Sequence, residues 1–250
     1  AKDSLALARQ NGFQPIAQLT YWPLSADQQA TLAERDPDLP NLLPVGNADA
    51  PLIYQLDTAA MPPHVRQVFD RHVNDFRVAP VEAIVSSTVH QQKGIEAIER
   101  YVFEPQRKAA IGHFRLLASR TGQEPHRADL LVHPAYTWLY PELTACISQT
   151  ARSISIAPLI LSSADYQPER EAYFEQIGAE RLAHSLFLSR SVWHKLRETR
   201  AMSLDALQDM LQGWQPAQPV ANRNYWASLA DGPIFDEDDP SSPNEASEPS

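Results

Sequence analysis

ADLLVHP (128–134), TWLYPELTACISQTA (137–151), IAPLILSS (156–163), PEREAYFEQIG (168–178) and AERLAHSLFLSR (179–190) follow one another with short connections. Apolar residues run almost unbroken through the first and third of these segments. Strands buried on both faces have that pattern. The second and fourth read as helices. The stretch therefore predicts one strand–helix–strand–helix–strand unit, in which helices cover a sheet.

Working outward from this unit, IERYVFEPQRKAAIGHFRLLAS (98–119) predicts a hairpin that turns between Glu104 and Lys108. VEAIVSSTV (81–89) and LIYQL (52–56) read as buried strands. Between them, MPPHVRQVFDRHV (61–73) opens a helix behind two prolines, with Val65, Val68, Phe69, His72 and Val73 on one face. SADQQATLAER (25–35) predicts a short helix with Ser25 as its N-cap. The four prolines of DPDLPNLLPVGNADAP (36–51) exclude long regular structure there. Downstream, SVWHKLRET trails the last strand, and SLDALQDMLQGW (203–214) is a short amphipathic helix. From residue 215 the periodicity is lost.

Composition narrows the class. Of the 250 residues, 43% are hydrophobic and 21% charged, which is ordinary for a globular chain. No apolar run approaches the roughly 20 residues of a membrane helix. The single cysteine, Cys146, rules out an internal disulfide framework and fits a cytoplasmic location. Its helical spacing with Leu143, Ala145 and Ile147 makes it a small core residue rather than a nucleophile. The net charge is −10. Seven acids and no base lie in residues 231–250, leaving −3 for residues 1–230. A near-neutral body argues against a nucleic-acid face. The acidic tail reads as disordered, and suits a solubility element, a segment that binds a partner protein, or no role at all. No histidine or cysteine spacing suits a metal site, so none is expected.

Residues 51–200, roughly 60% of the chain, resemble a GNAT N-acetyltransferase domain. The resemblance rests on the order of elements and on two motifs. It implies an α/β (α+β) fold, with a mixed, mainly antiparallel central sheet flanked by helices. The first motif is LLVHPAY (130–136). In the family this strand splays from its neighbour, and the pantetheine arm of acetyl-CoA adds to its free edge as an extra strand. Carried over, Leu131, Val132 and His133 would meet the arm, and Thr137 and Leu139 would lie at the pyrophosphate loop. That loop departs from the family pattern because residues 137–143 contain no glycine. Trp138 and Tyr140 would fill the space of the phosphates, Pro141 lacks an amide donor, and Glu142 adds a negative charge.

The second motif is AYFEQIGAERLAHSLFLSR (172–190). The family tyrosine that protonates the leaving thiolate falls at Phe174. Tyr173 comes one residue early, about 100° around the helix, on a partly exposed side. The catalytic candidates are Tyr173 as acid and His133 as base. Glu99, Glu104, His113 and Asp129 also occupy strands where a base belongs. The resemblance implies a divergent N-acetyltransferase that takes acetyl-CoA and an amine. The missing glycines and displaced tyrosine equally suit a catalytically inactive binding or regulatory module.

ARQNGFQPIAQLTY (8–21) also lies over FEQIGAERLAHSLF (174–187) without a gap, at an offset of 166 residues. Two unrelated helix–glycine–strand units can match by chance. As a repeat, residues 1–24 would be the helix–strand remnant of a first GNAT-like unit, although removal of an initiator Met accounts for Ala1 equally well. Residues 25–50 would then be a Pro-rich linker, 51–200 the GNAT-like domain, 201–214 a short helix and 215–250 the tail.

Overall fold

The computed structural model describes residues 2–69, 71–77 and 94–190. VEAIVSSTV, SVWHKLRET, the 203–214 helix and the acidic tail lie outside the described residues.

The hairpin forms where the alternating residues place it. Strands β3 (Ile95–Glu104) and β4 (Ala109–Ser119) pair antiparallel around a turn in which Lys108 adopts φ 51°. Strand β5 (His126–Val132) runs antiparallel to β4, and β6 (Leu159–Ala164) runs parallel to β5. Parallel neighbours need a long crossover, and helix α5 (Leu139–Ile154) supplies it. Helix α6 (Pro168–Gln176) then leads to β7 (Ala183–Ser189).

The N-terminal helix α1 (Lys2–Gln10) and strand β1 (Gln14–Leu24) join the same sheet. β1 lies between β6 and β7 and is antiparallel to both. Helix α2 (Ala26–Ala33) follows, with Ser25 and Gln28 forming a capping box. The short strand β2 (Leu42–Pro44) closes the far edge. The described strands form a single seven-stranded sheet in the order β2-β3-β4-β5-β6-β1-β7.

LIYQL is not a strand. It belongs to helix α3 (Ala50–Ala60), with Pro51 in its first turn. The short apolar run misled because the buried residues are Ala50, Ile53, Leu56 and Asp57, a helical stripe. Helix α4 (Pro63–Phe69) begins behind the two prolines as expected. Of its expected apolar face, Val65 is buried and Val68 is exposed.

Two layers cover the sheet. On one face Ala128, Leu130 and Val132 of β5 meet Leu139, Leu143 and Ile147 of α5, Phe174 of α6 and Leu32 of α2. On the other face Leu131 packs with Ile53 and Leu56 of α3. Each fully buried side chain of this size stabilises by roughly 1.5–3 kcal/mol. Gly112 lets α5 sit close: a Cβ there would lie 3.1 Å from the side chains of both Leu139 and Leu143. Cys146 is buried among these residues.

Candidate active site

The central feature is a fork between β5 and β6. Their pairing spans only His126 to Ala128 against Leu159 to Leu161. Beyond it, β5 continues to Val132 bound to β4 alone, while β6 continues to Ala164 bound to β1. The His133 N–H donates to the Ile111 carbonyl at 2.9 Å. Backbone bonding alternates along an antiparallel strand, so His133, Leu131 and Asp129 turn their polar groups to β4. Leu130 and Val132 turn theirs toward the side that β6 has left.

Of the three residues expected to meet a pantetheine arm, Val132 turns its backbone groups to the side that β6 has left, and Leu131 and His133 turn theirs to β4. Leu130 shares the Val132 orientation.

At the crotch of the fork, side chains replace the backbone ladder. Ser162 Oγ donates to Asp129 Oδ1 at 2.6 Å. Asp129 is only 8% exposed. Burial pushes its carboxyl up to about 6, against the Ser162 hydrogen bond and the charges of Arg170, Arg115 and Arg127, which pull it down. Arg115 also pairs with Glu99 at 3.3 Å, so acid and base alternate across three neighbouring strands.

Arg170, from the first turn of α6, enters the fork. Its Nη1 donates to the Ser162 carbonyl at 3.4 Å, and its guanidinium lies 5.6 Å from the Tyr140 ring centroid. Tyr140 in turn stacks on Tyr173 with centroids 6.3 Å apart. Nothing in the sequence pattern had marked Arg170, which sits in a charged first turn (PERE) that reads as solvated surface.

Tyr173 is buried, 8% exposed, not the partly exposed residue expected. Its helix lies flat on the core, so Tyr173 and Phe174 both point inward: Phe174 meets Trp22 edge-on at 5.8 Å. The Tyr173 hydroxyl is buried close to Thr144 but makes no hydrogen bond of ordinary geometry, and burial raises its pKa.

His133 acts as a cap. Its Nδ1 accepts from the Ala135 N–H at 3.1 Å at the start of the 3-10 turn Pro134–Tyr136. Burial and the Arg107 charge lower its pKa. His113 is buried within β4, and burial lowers its pKa to about 3, too weak a base for an amine proton. Among the described residues, no three His, Cys, Asp or Glu side chains gather as a metal site would need. No described helix is long and apolar enough to cross a membrane.

The start of α5 differs from the expected obstruction. Trp138 is 53% exposed and does not fill the interior, whereas Tyr140 is buried. Glu142 is engaged: its Oε2 accepts from the Asp38 N–H at 2.8 Å. Thr137 closes the 3-10 turn, and its carbonyl accepts from the Tyr140 N–H. Leu139 is fully buried against Gly112.

The mixed, mainly antiparallel sheet, forked between two parallel strands and flanked by helices, is a GNAT-like fold of the kind that the sequence resemblance implies. Among solved structures, the chain is similar to a tandem GNAT protein from the clavulanic acid biosynthesis pathway. Identity is 14% over 75% of this chain and 58% of that one, with a TM-score of 0.47. It is also similar to a conserved protein of unknown function from Enterococcus faecalis described as a probable N-acyltransferase. There the identity is 9% over 73% and 41%, and the TM-score 0.48. A GNAT-family acetyltransferase from Colwellia psychrerythraea has 10% identity over 74% and 60%, with a TM-score of 0.43. The chain thus spans less than two thirds of the length of each of these proteins. No family model and no curated protein matches the chain.

Proposed function

We propose that the chain is a divergent N-acetyltransferase that takes acetyl-CoA and an amine acceptor. The β5–β6 fork carries this reading. Leu130 and Val132 offer an extended amide chain a strand edge inside the fold, the feature that suits a pantetheine arm. Acetyl-CoA would supply an activated acetyl group. Asp129 would receive the amine proton, because a carboxyl near 6 is a competent base at neutral pH. It replaces His133, whose Nδ1 is engaged. Tyr173 would supply a proton to the leaving thiolate. The phosphates would meet the exposed start of α5, which lacks the glycine-rich amides that ordinarily hold them.

A second reading, an inactive binding or regulatory module, draws on two observations. The Arg170 guanidinium stands inside the fork. Pro141 and Glu142 leave the first turn of α5 poor in donors for an anion. We also read residues 1–24 as the remnant of a first GNAT-like unit; the matching glycines Gly12 and Gly178, at φ 80° and 78°, support this.

Thermal-shift titration with acetyl-CoA separates the two readings. A ligand at 100 times its dissociation constant stabilises by about 2.7 kcal/mol. A saturable shift, with acetyl transfer to a panel of amines, is the result expected. No shift at millimolar acetyl-CoA would leave only the binding-module reading.

A further inference from the structure

We infer that Arg170 is a carboxylate-binding residue of the fork, and that the molecule bound there presents a carboxylate to it. The side chain is 4% exposed. Only Nη1 is engaged, by the long contact to the Ser162 carbonyl. Nε and Nη2 are buried and have no hydrogen-bond partner. These two atoms form one edge of the guanidinium, whose parallel N–H bonds match the two oxygens of a carboxylate.

Charge points the same way. Among the described residues, no carboxylate forms an ion pair with Arg170. Asp129, the acid at the crotch, feels the Arg170 charge but makes no direct contact with it, and its Oδ1 accepts from Ser162. Buried donors without partners are uncommon enough to need a reason, and a charged group left in that state costs more than a neutral one. The Tyr140 ring holds the guanidinium in place. An enclosed planar donor edge at the point where two strands part fits a small carboxylate better than a phosphate chain, which would lie at the exposed start of α5.

The carboxylate has two chemical sources: an acyl thioester whose acyl chain ends in a carboxylate, or an amino-acid acceptor. The inference rests on the fork being a ligand site and deepens the acyltransferase reading. Its test uses the full chain labelled with nitrogen-15, following the Arg170 Nε–Hε resonance, assigned by its loss in Arg170→Lys. Succinyl-CoA against acetyl-CoA examines the first source. Glycine against glycinamide, with acetyl-CoA present, examines the second.

The expected result is a shift of that resonance by one carboxylate probe only. That probe should bind roughly tenfold to a hundredfold more tightly than its uncharged counterpart, and Arg170→Gln should abolish the preference. A resonance unmoved by both carboxylate probes, or an equal preference in Arg170→Gln, overturns the inference; the wild-type titration decides even if the variant fails to fold. Acetyl-CoA binding without any carboxylate preference removes this inference alone. A glycine response without acetyl-CoA binding removes the acyltransferase reading and keeps this one.

Discussion

Leu19 pairs across the β1–β7 ladder with Ser185, the residue 166 positions further along the chain. The same offset separates Gly12 from Gly178. Gln18 faces Leu186, and Thr20 faces His184, so counterparts exchange partners about the Leu19–Ser185 pair. Every antiparallel pair has such a local two-fold, and here its centre falls on two residues separated by the offset of the sequence match. The pairing also makes β1 an interior strand bonded on both edges.

The first prediction follows from that position. Trp22 of β1 is fully buried, donates to Ser163 Oγ at 2.8 Å and packs on Phe174. Trp22→Ala should destabilise the fold by about 3–5 kcal/mol, read as a lower urea midpoint. A change below about 1 kcal/mol would mean that β1 adds little to the core, contrary to its burial.

The second prediction concerns pH. The Asp129 carboxyl is raised from its ordinary 3.8 to about 6, chiefly by burial. The folded state therefore binds the proton more tightly than the unfolded chain does. The stability this contributes is fully present below 3.8 and is lost as pH rises through about 6. At 1.36 kcal/mol for each pH step, the loss is bounded at roughly 3 kcal/mol. Asp129→Asn keeps an acceptor for Ser162 and removes the titration. Urea unfolding between pH 4 and 7 should show the wild type losing more stability than the variant. Parallel pH profiles for the two would contradict the raised carboxyl.

How much of this was legible in the sequence depends on which residues one asks about. The strands of LLVHP and PLIL declared themselves because burial on both faces leaves unbroken apolar runs. Val132 at the fork followed from the family resemblance, but the turn of Leu130 toward the fork needed the β4 register. α3 was hidden because Leu52, Ile53, Tyr54, Gln55 and Leu56 suit either period when read as five residues. Arg170 was hidden for a different reason. Charge in a first helical turn usually means solvent, and only tertiary packing carries this side chain into the fork. Tyr173 was misplaced because a helix resting flat on the core buries two adjacent positions, not one.

A third prediction tests the seat of α5. Gly112 leaves room for Leu139 and Leu143, each 3.1 Å from where a Cβ would stand. Gly112→Ala should force these core side chains to shift, at roughly 1–3 kcal/mol. The strain acts on the helix that starts beside the fork, so any affinity for acetyl-CoA should fall with it. A thermal midpoint equal to that of the wild type would show that the two leucines yield without strain.

The last prediction separates stability from chemistry at Tyr173. Its hydroxyl is buried without a hydrogen bond of ordinary geometry, a burden that leaving a buried polar group unpaired places at about 1–3 kcal/mol. Tyr173→Phe removes that oxygen and keeps the ring stacked on Tyr140. The variant should therefore be as stable as the wild type or more so, by thermal melting. If the hydroxyl protonates a leaving thiolate, acetyl transfer should fall by roughly 100-fold or more while acetyl-CoA binding holds. A stabler variant with unchanged transfer would remove Tyr173 from the chemistry. A destabilised one would reveal a hydrogen bond of the hydroxyl, with Thr144 as the candidate partner.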